Sequence, residues 1–141
     1  MRLIGLPATV VAVLALASAA GATSRVDTVT ASVHQTGHSG LDLVYKGTVH
    51  SKVFGTGKVT EYVGGNLRGR FVITYARGVV RGTSIAHAKG AAGGGVDVTG
   101  TYRLTGGTRR YRHIKGHGTF TGHSSQSLHS ATFRQHGPVS F

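Results

Sequence analysis

After residue 22 the chain alternates between apolar and polar side chains, and glycine interrupts the alternation at short intervals. The longest run is LDLVYKGTVHSKV, residues 41–53. Leu41, Leu43, Tyr45, Val49 and Val53 share one face with Gly47 and Ser51. Asp42, Lys46, Thr48, His50 and Lys52 share the other, with Val44 its apolar exception. A period of two places neighbouring side chains on opposite faces of a strand, so this run predicts an antiparallel strand buried on one side. Comparable runs predict strands at about 26–34, 41–53, 58–63, 68–77, 79–88, 96–105, 116–122 and 126–134, with a short tail at about 138–141. Within RGRFVITY, residues 68–75, Phe71, Ile73 and Tyr75 make one packed face. Gly64-Gly65-Asn66 reads as a turn, Gly78 separates the fourth and fifth strands, and GAAGGG at 90–95 is a loose connection.

No stretch after residue 22 has helical periodicity. About eight short strands predict an all-β fold, either a sandwich or an eight-stranded antiparallel closed barrel. Closure is favoured because it removes sheet edges, which a chain with 2 prolines has little means of blunting.

The first residues follow another pattern. Arg2 precedes an almost wholly apolar run, Leu3–Ala17, and Ala17-Ser18-Ala19 and Ala20-Gly21-Ala22 are both small-x-small cleavage sequences. This is the organisation of a secretory signal peptide over 1–22, and it predicts a secreted, extracellular protein. A single membrane anchor is the competing reading of the apolar run, and the small residues at its end favour cleavage. Removal after Ala22 leaves one domain over 23–141. With no cysteine in the chain, stability must come from core, closure or oligomerisation rather than disulfides.

Charge then separates the partner classes. After residue 22, fifteen Lys and Arg face four acids (Asp27, Asp42, Glu61 and Asp97), a net of +11, and protonation of all nine histidines would bring it towards +20. Such a chain is drawn to anionic polymers. Most cations are scattered, but Arg109, Arg110, Arg112 and Lys115 cluster and form the candidate polyanion-binding group. The histidines give no metal site: His113 and His117 fall in a turn and strand, where a four-residue spacing is ~13 Å. No cofactor motif is present. RGRFVITY superficially resembles an RNA-binding strand of the RRM module, but that module needs two helices that cannot be drawn in this chain, so no specific nucleic acid partner is expected.

The densest segment is RLTGGTRRYRHIKGHGTFTG, residues 103–122. A strand ends near Thr105, Gly106-Gly107 offers positive φ, and Thr108 is suited to satisfying a freed backbone group. Arg109–Ile114 is too short for a helix and suits a tight turn with Tyr111 tucked under the sheet. Gly116, Gly118, Phe120 and Gly122 then share one face, implying a crowded inner wall. With GTGKV at 55–59, this segment resembles the pattern shared by dirigent proteins and the allene oxide cyclase barrel. Gly106, Gly107, Thr108, Tyr111 and Gly116 match, and Lys115 stands where the family usually has a basic residue. Arg109 departs from the family pattern, which has glycine at that position. The resemblance implies an eight-stranded barrel with an internal cavity, often a homo-dimer or trimer.

Glu61 is the acid of most chemical interest. In KVTEYV it shares a face with Val59 and Val63. Facing inward, it would be a lone catalytic acid or base in an apolar cavity; otherwise it faces a subunit interface or pairs with Arg68 or Arg70 across the 64–66 turn, and paired charges are the commoner case. The other acids offer less: Asp42 is on a polar face, Asp27 lies near a frayed start, and Asp97 is out of phase with Val96 and Val98. Together these readings predict a secreted barrel binding a small apolar or phenolic ligand against Tyr45, Val59, Phe71, Tyr75 and Phe120 without bond chemistry. The alternatives are an isomerase or cyclase using Glu61, or a basic envelope protein gripping an anionic cell-surface polymer.

Overall fold

The computed structural model describes residues 24–141; the expected signal peptide lies outside the described residues. Eight strands follow one another: β1 (Arg25–Ser39), β2 (Asp42–Ser51), β3 (Gly55–Val63), β4 (Arg68–Tyr75), β5 (Gly78–Gly90), β6 (Val96–Gly107), β7 (Lys115–Ser124) and β8 (Ser130–Ser140). Each pairs antiparallel with the next, and β1 pairs with β8 to close the barrel. The one helical element among the described residues is a 3-10 turn at Arg109–Tyr111.

The expected strand at 126–134 starts later, since 126–129 form the turn before β8, and it joins the expected tail at 138–141 in one strand, Ser130–Ser140. β8 runs through Gly137-Pro138 because β1 holds that stretch continuously, Asp27↔Gly137, Val26↔Pro138 and Arg25↔Val139. The β7 ladder is where Pro138 leaves its mark, skipping from Gly116↔Val139 to Thr119↔His136.

Alternation sends Val29, Val33, Val49, Val59, Phe71 and Ile73 into a common core and leaves Lys46, Lys58, Arg70, Arg81, Arg103 and Arg134 exposed on the outer wall. Register explains many of the glycines. Phe71 lies opposite Gly82, Phe120 opposite Gly100, Phe133 opposite Gly122, and Tyr75 opposite Gly57. In each pair a Cβ on the glycine would run into the ring across the ladder. The rings thus pack over bare backbone, which lets large side chains line a narrow barrel. Gly82→Ala is expected to lower stability by about 2 kcal/mol through overpacking against Phe71 and the Arg103 carbonyl. A fall in the urea midpoint, partly recovered on adding Phe71→Leu, would verify the steric cause.

The β6–β7 connection closes one end. Gly106 and Gly107 do not supply the positive φ expected of them; both belong to β6, and the left-handed residue is Arg109, φ 53°. Gly107 is needed for space instead, since a Cβ there would strike the Val79 and Tyr111 carbonyl oxygens. Thr108 stitches the connection to β5: its Oγ1 accepts from Val79 N at 3.0 Å, and its N–H donates to Val79 O at 2.9 Å. Tyr111 is thereby driven beneath the barrel, 3% exposed. Its ring meets Phe54, Phe141 and Tyr75 at centroid distances of 5.0, 5.5 and 6.2 Å, all edge-on. These four rings plug the end.

Asp27 sits beside this plug and is not frayed. It is buried, in phase with Val29 and Val33, and both its oxygens accept from Ser51 Oγ at 2.9 and 2.7 Å. Val53 N donates to Asp27 Oδ1 at 3.2 Å, and Phe54 N donates to Ser51 Oγ at 2.9 Å. Every contact fixes the 52–54 connection that carries Phe54 into the plug, so this carboxylate is structural. Burial raises the Tyr75 phenol far above its ordinary value, with the Asp27 charge adding to the shift and the Ser51 hydroxyl opposing it.

Candidate functional site

Above the plug the barrel is hollow. A cavity of about 310 Å³ extends from Val29, Val49 and Ile73 in the middle of the barrel to Gly64, Gly65, Leu67 and Leu128 in the turns at the other end. Its walls are aliphatic and aromatic, and its polar side chains are few: Glu61, Tyr45, Ser84, Ser124 and Gln135. At interior packing density the space suits one ligand of roughly 10–15 non-hydrogen atoms.

Glu61 is the only charged side chain on the lining among the described residues. The expected pair with Arg68 or Arg70 does not form. Pairing places Glu61 opposite Phe71 and Tyr45, inside, and Tyr62 opposite Arg70, outside. Arg70 spends its charge on the Tyr62 ring, 3.9 Å from guanidinium carbon to centroid, and Arg68 is exposed at the start of β4. One residue of parity separates the two outcomes. The surface left to Glu61 borders the cavity, and loss of water pushes its pKa up to about 7 against the opposing hydrogen bond of Ser84.

Gly69 makes room for this pair. A Cβ there would stand 2.6 Å from Ser84 Oγ and 3.3 Å from Glu61 Oε1. Neither Ser84 nor Gly69 is distinctive in sequence; their in-phase positions on β5 and β4 are the only signal. Tyr45 completes the polar group. Burial and then the Glu61 charge raise its pKa, and its hydroxyl donates to Leu128 O at 3.0 Å, tying the β7–β8 turn over the open end. The cavity therefore offers an acid that is half protonated near neutrality, a hydroxyl beside it and apolar walls around both.

The structure brings Tyr45, Val59, Phe71 and Phe120 together on this lining. Tyr75 is elsewhere, in the plug, because it is the last residue of β4 at the closed end. Arg109, Arg110, Arg112 and Lys115 are all exposed at that closed end, away from the cavity. A second, wider depression of about 740 Å³ crosses the outer wall by Thr30, Thr121, His123 and Arg134. It is a shallow saddle open to solvent, bordered by the His123 Nδ1 to Asp97 Oδ1 contact at 3.0 Å, and carries no enclosed chemistry. No three His, Cys, Asp or Glu converge as a metal site among the described residues.

Fold and site together define a closed eight-stranded antiparallel barrel, plugged at one end, with one apolar cavity reaching the other. No family model, curated protein or solved structure matches the chain.

Proposed function

We propose that the barrel binds one small apolar or phenolic molecule in its cavity and holds it in a fixed orientation without forming or breaking bonds. The observation that carries this reading is the lining: mainly apolar walls with few polar side chains, three of which, Glu61, Ser84 and Tyr45, lie on neighbouring strands β2–β5 with the one ionisable acid among them. Apolar walls supply affinity and a few placed polar groups supply orientation. A phenolic hydroxyl suits Glu61, donating to the carboxylate or accepting from the acid. The resemblance of the Gly106–Gly116 segment to dirigent and allene oxide cyclase barrels is in keeping with such a role.

The test is a titration with 4-propylphenol and with propylbenzene, followed by native mass spectrometry and tyrosine fluorescence. One 4-propylphenol per chain is expected, with propylbenzene about fivefold to tenfold weaker for want of the hydrogen bond. Ala86→Leu, which fills space on the lining, should abolish both complexes. Failure of either compound to bind at millimolar concentration, or binding that ignores Ala86→Leu, overturns the proposal.

A second reading rests on Glu61 alone. A lone carboxyl titrating near 7 in an apolar cavity is poised to give and take a proton, as an isomerase or cyclase requires. Glu61→Gln separates the two: binding that survives with loss of turnover marks an enzyme, and the absence of any Glu61-dependent turnover removes that reading.

A further inference from the structure

Folding sorts the charges by end. At the plugged end the β6–β7 connection exposes Arg109, Arg110, Arg112 and Lys115. Lys52 from the β2–β3 connection, Arg77 from the β4–β5 turn and Arg25 at the start of β1 emerge at the same end, also exposed. The one acidic side chain there among the described residues is Asp27, buried and held by Ser51 and Val53. The open end is balanced, with Arg68 and Lys89 set against Asp42 and Asp97. The sole ion pair among the described residues is His123–Asp97, so no Lys or Arg at the plugged end is neutralised by a partner within them.

We propose that the plugged end is a docking face for a linear anionic polymer bearing phosphate or carboxylate groups, bound so that the cavity mouth points away from it. The cations come from separate connections around a barrel roughly 15 Å across, a spread that one small anion cannot span and a polymer of repeating charges can. Arginine dominates the set, and its planar fork matches carboxylate and phosphate oxygens. Arg109 belongs to the set by position: its left-handed turn conformation, φ 53°, is one that Leu67 and Leu128 also adopt in turns at the other end, and its side chain is exposed at the plugged end.

The same face argues against other anionic partners. A bilayer would call for insertable apolar groups, but Leu41, Leu67 and Leu128 are exposed at the opposite end, and Val26 alone is exposed near this one among the described residues. Single-stranded nucleic acid would call for rings on which bases stack. The rings at this end are committed to the plug: Tyr75 and Tyr111 are buried, and Phe54 and Phe141 are half-buried against them.

The test compares two triple variants that remove equal charge from exposed positions: Arg25→Gln/Lys52→Gln/Arg77→Gln at the plugged end and Lys46→Gln/Lys58→Gln/Arg134→Gln on the wall. Binding to long-chain polyphosphate and to polygalacturonate is measured across salt concentrations, with an oligonucleotide and anionic phosphatidylglycerol vesicles alongside. The plugged-end triple should lose at least about tenfold in affinity and flatten the salt dependence, and the wall triple less than about threefold. Tighter binding to one polymer identifies its charged group as phosphate or carboxylate. Arg109→Gly should weaken binding with no fall in melting temperature, which separates the charge from any role in folding. Equal losses from both triples would reduce the effect to net charge and overturn the proposal. So would absence of polymer binding, or tighter binding to oligonucleotide or vesicles.

Discussion

Replacing Tyr111 by alanine is expected to cost the barrel about 3–5 kcal/mol, at the upper end for a single aromatic truncation. The ring is 3% exposed and touches Phe54, Tyr75 and Phe141 edge-on, so its removal empties the centre of the plug and strips each neighbour of an aromatic contact. Little can collapse into the space. The 52–54 connection beneath Phe54 is pinned by Asp27 and Ser51, and the β6–β7 connection by the two hydrogen bonds between Thr108 and Val79. Tyr111→Phe keeps the ring and its three edge-on contacts and should change stability by less than about 1 kcal/mol. Urea unfolding of the two variants discriminates between the roles. A Tyr111→Phe loss as large as that of Tyr111→Ala would show that the hydroxyl, not the packing, holds the end shut.

Stability should also fall as pH rises from about 4.5 to about 7, and Glu61 should account for the fall. Its carboxyl has an ordinary value of 4.5 and a folded value pushed up to about 7 by burial. Below pH 4.5 the carboxyl is protonated in both states and its contribution is fully present. Between the two values the unfolded chain releases the proton and the barrel retains it, so unfolding gains. Above pH 7 both states are ionised and the loss is complete, about 2–3 kcal/mol once water in the cavity is allowed for. The groups facing Glu61 do not reverse the sign: Tyr45 stays neutral through this range, Ser84 does not titrate, and no cation lines the cavity among the described residues. Glu61→Gln should abolish this part of the slope and be the more stable protein at pH 8. Melting temperatures of the two proteins from pH 4 to 9 provide the measurement, and parallel curves would refute an inward, desolvated Glu61.

The cavity and the charged end together give the molecule a direction. In the two proposals, ligand is taken up at the end where Leu67 and Leu128 border the cavity, and a polymer is held at the end the aromatic plug has sealed. Each proposal can fail alone, since Ala86→Leu acts only within the cavity and the Arg25, Lys52 and Arg77 substitutions act only outside it.

How much of the molecule is legible from its sequence follows from the range of the forces involved. Side-chain alternation is local, and it suffices to show that Phe71, Ile73 and Tyr75 share a face and that the run from Leu41 is half-buried, while the shortness of Arg109–Ile114 suggests a tight turn with Tyr111 beneath it. It also places Asp27 in phase with Val29 and Val33, a sign of burial that nearness to the chain's start concealed. What alternation cannot supply is register. Whether Glu61 meets Arg70 or faces Ser84 in a cavity depends on one residue of parity between β3 and β4, and the aromatic–glycine pairs depend on the same choice in four ladders. Strand direction and closure lie further from sequence still. They decide that Arg25, Lys52 and Arg77 join Arg109–Lys115 at one end while the acids balance the other. Periodicity is a property of neighbours a few ångströms apart along the chain; register and closure are properties of segments that meet only after folding, where packing of the whole inner wall selects among pairings that look alike locally.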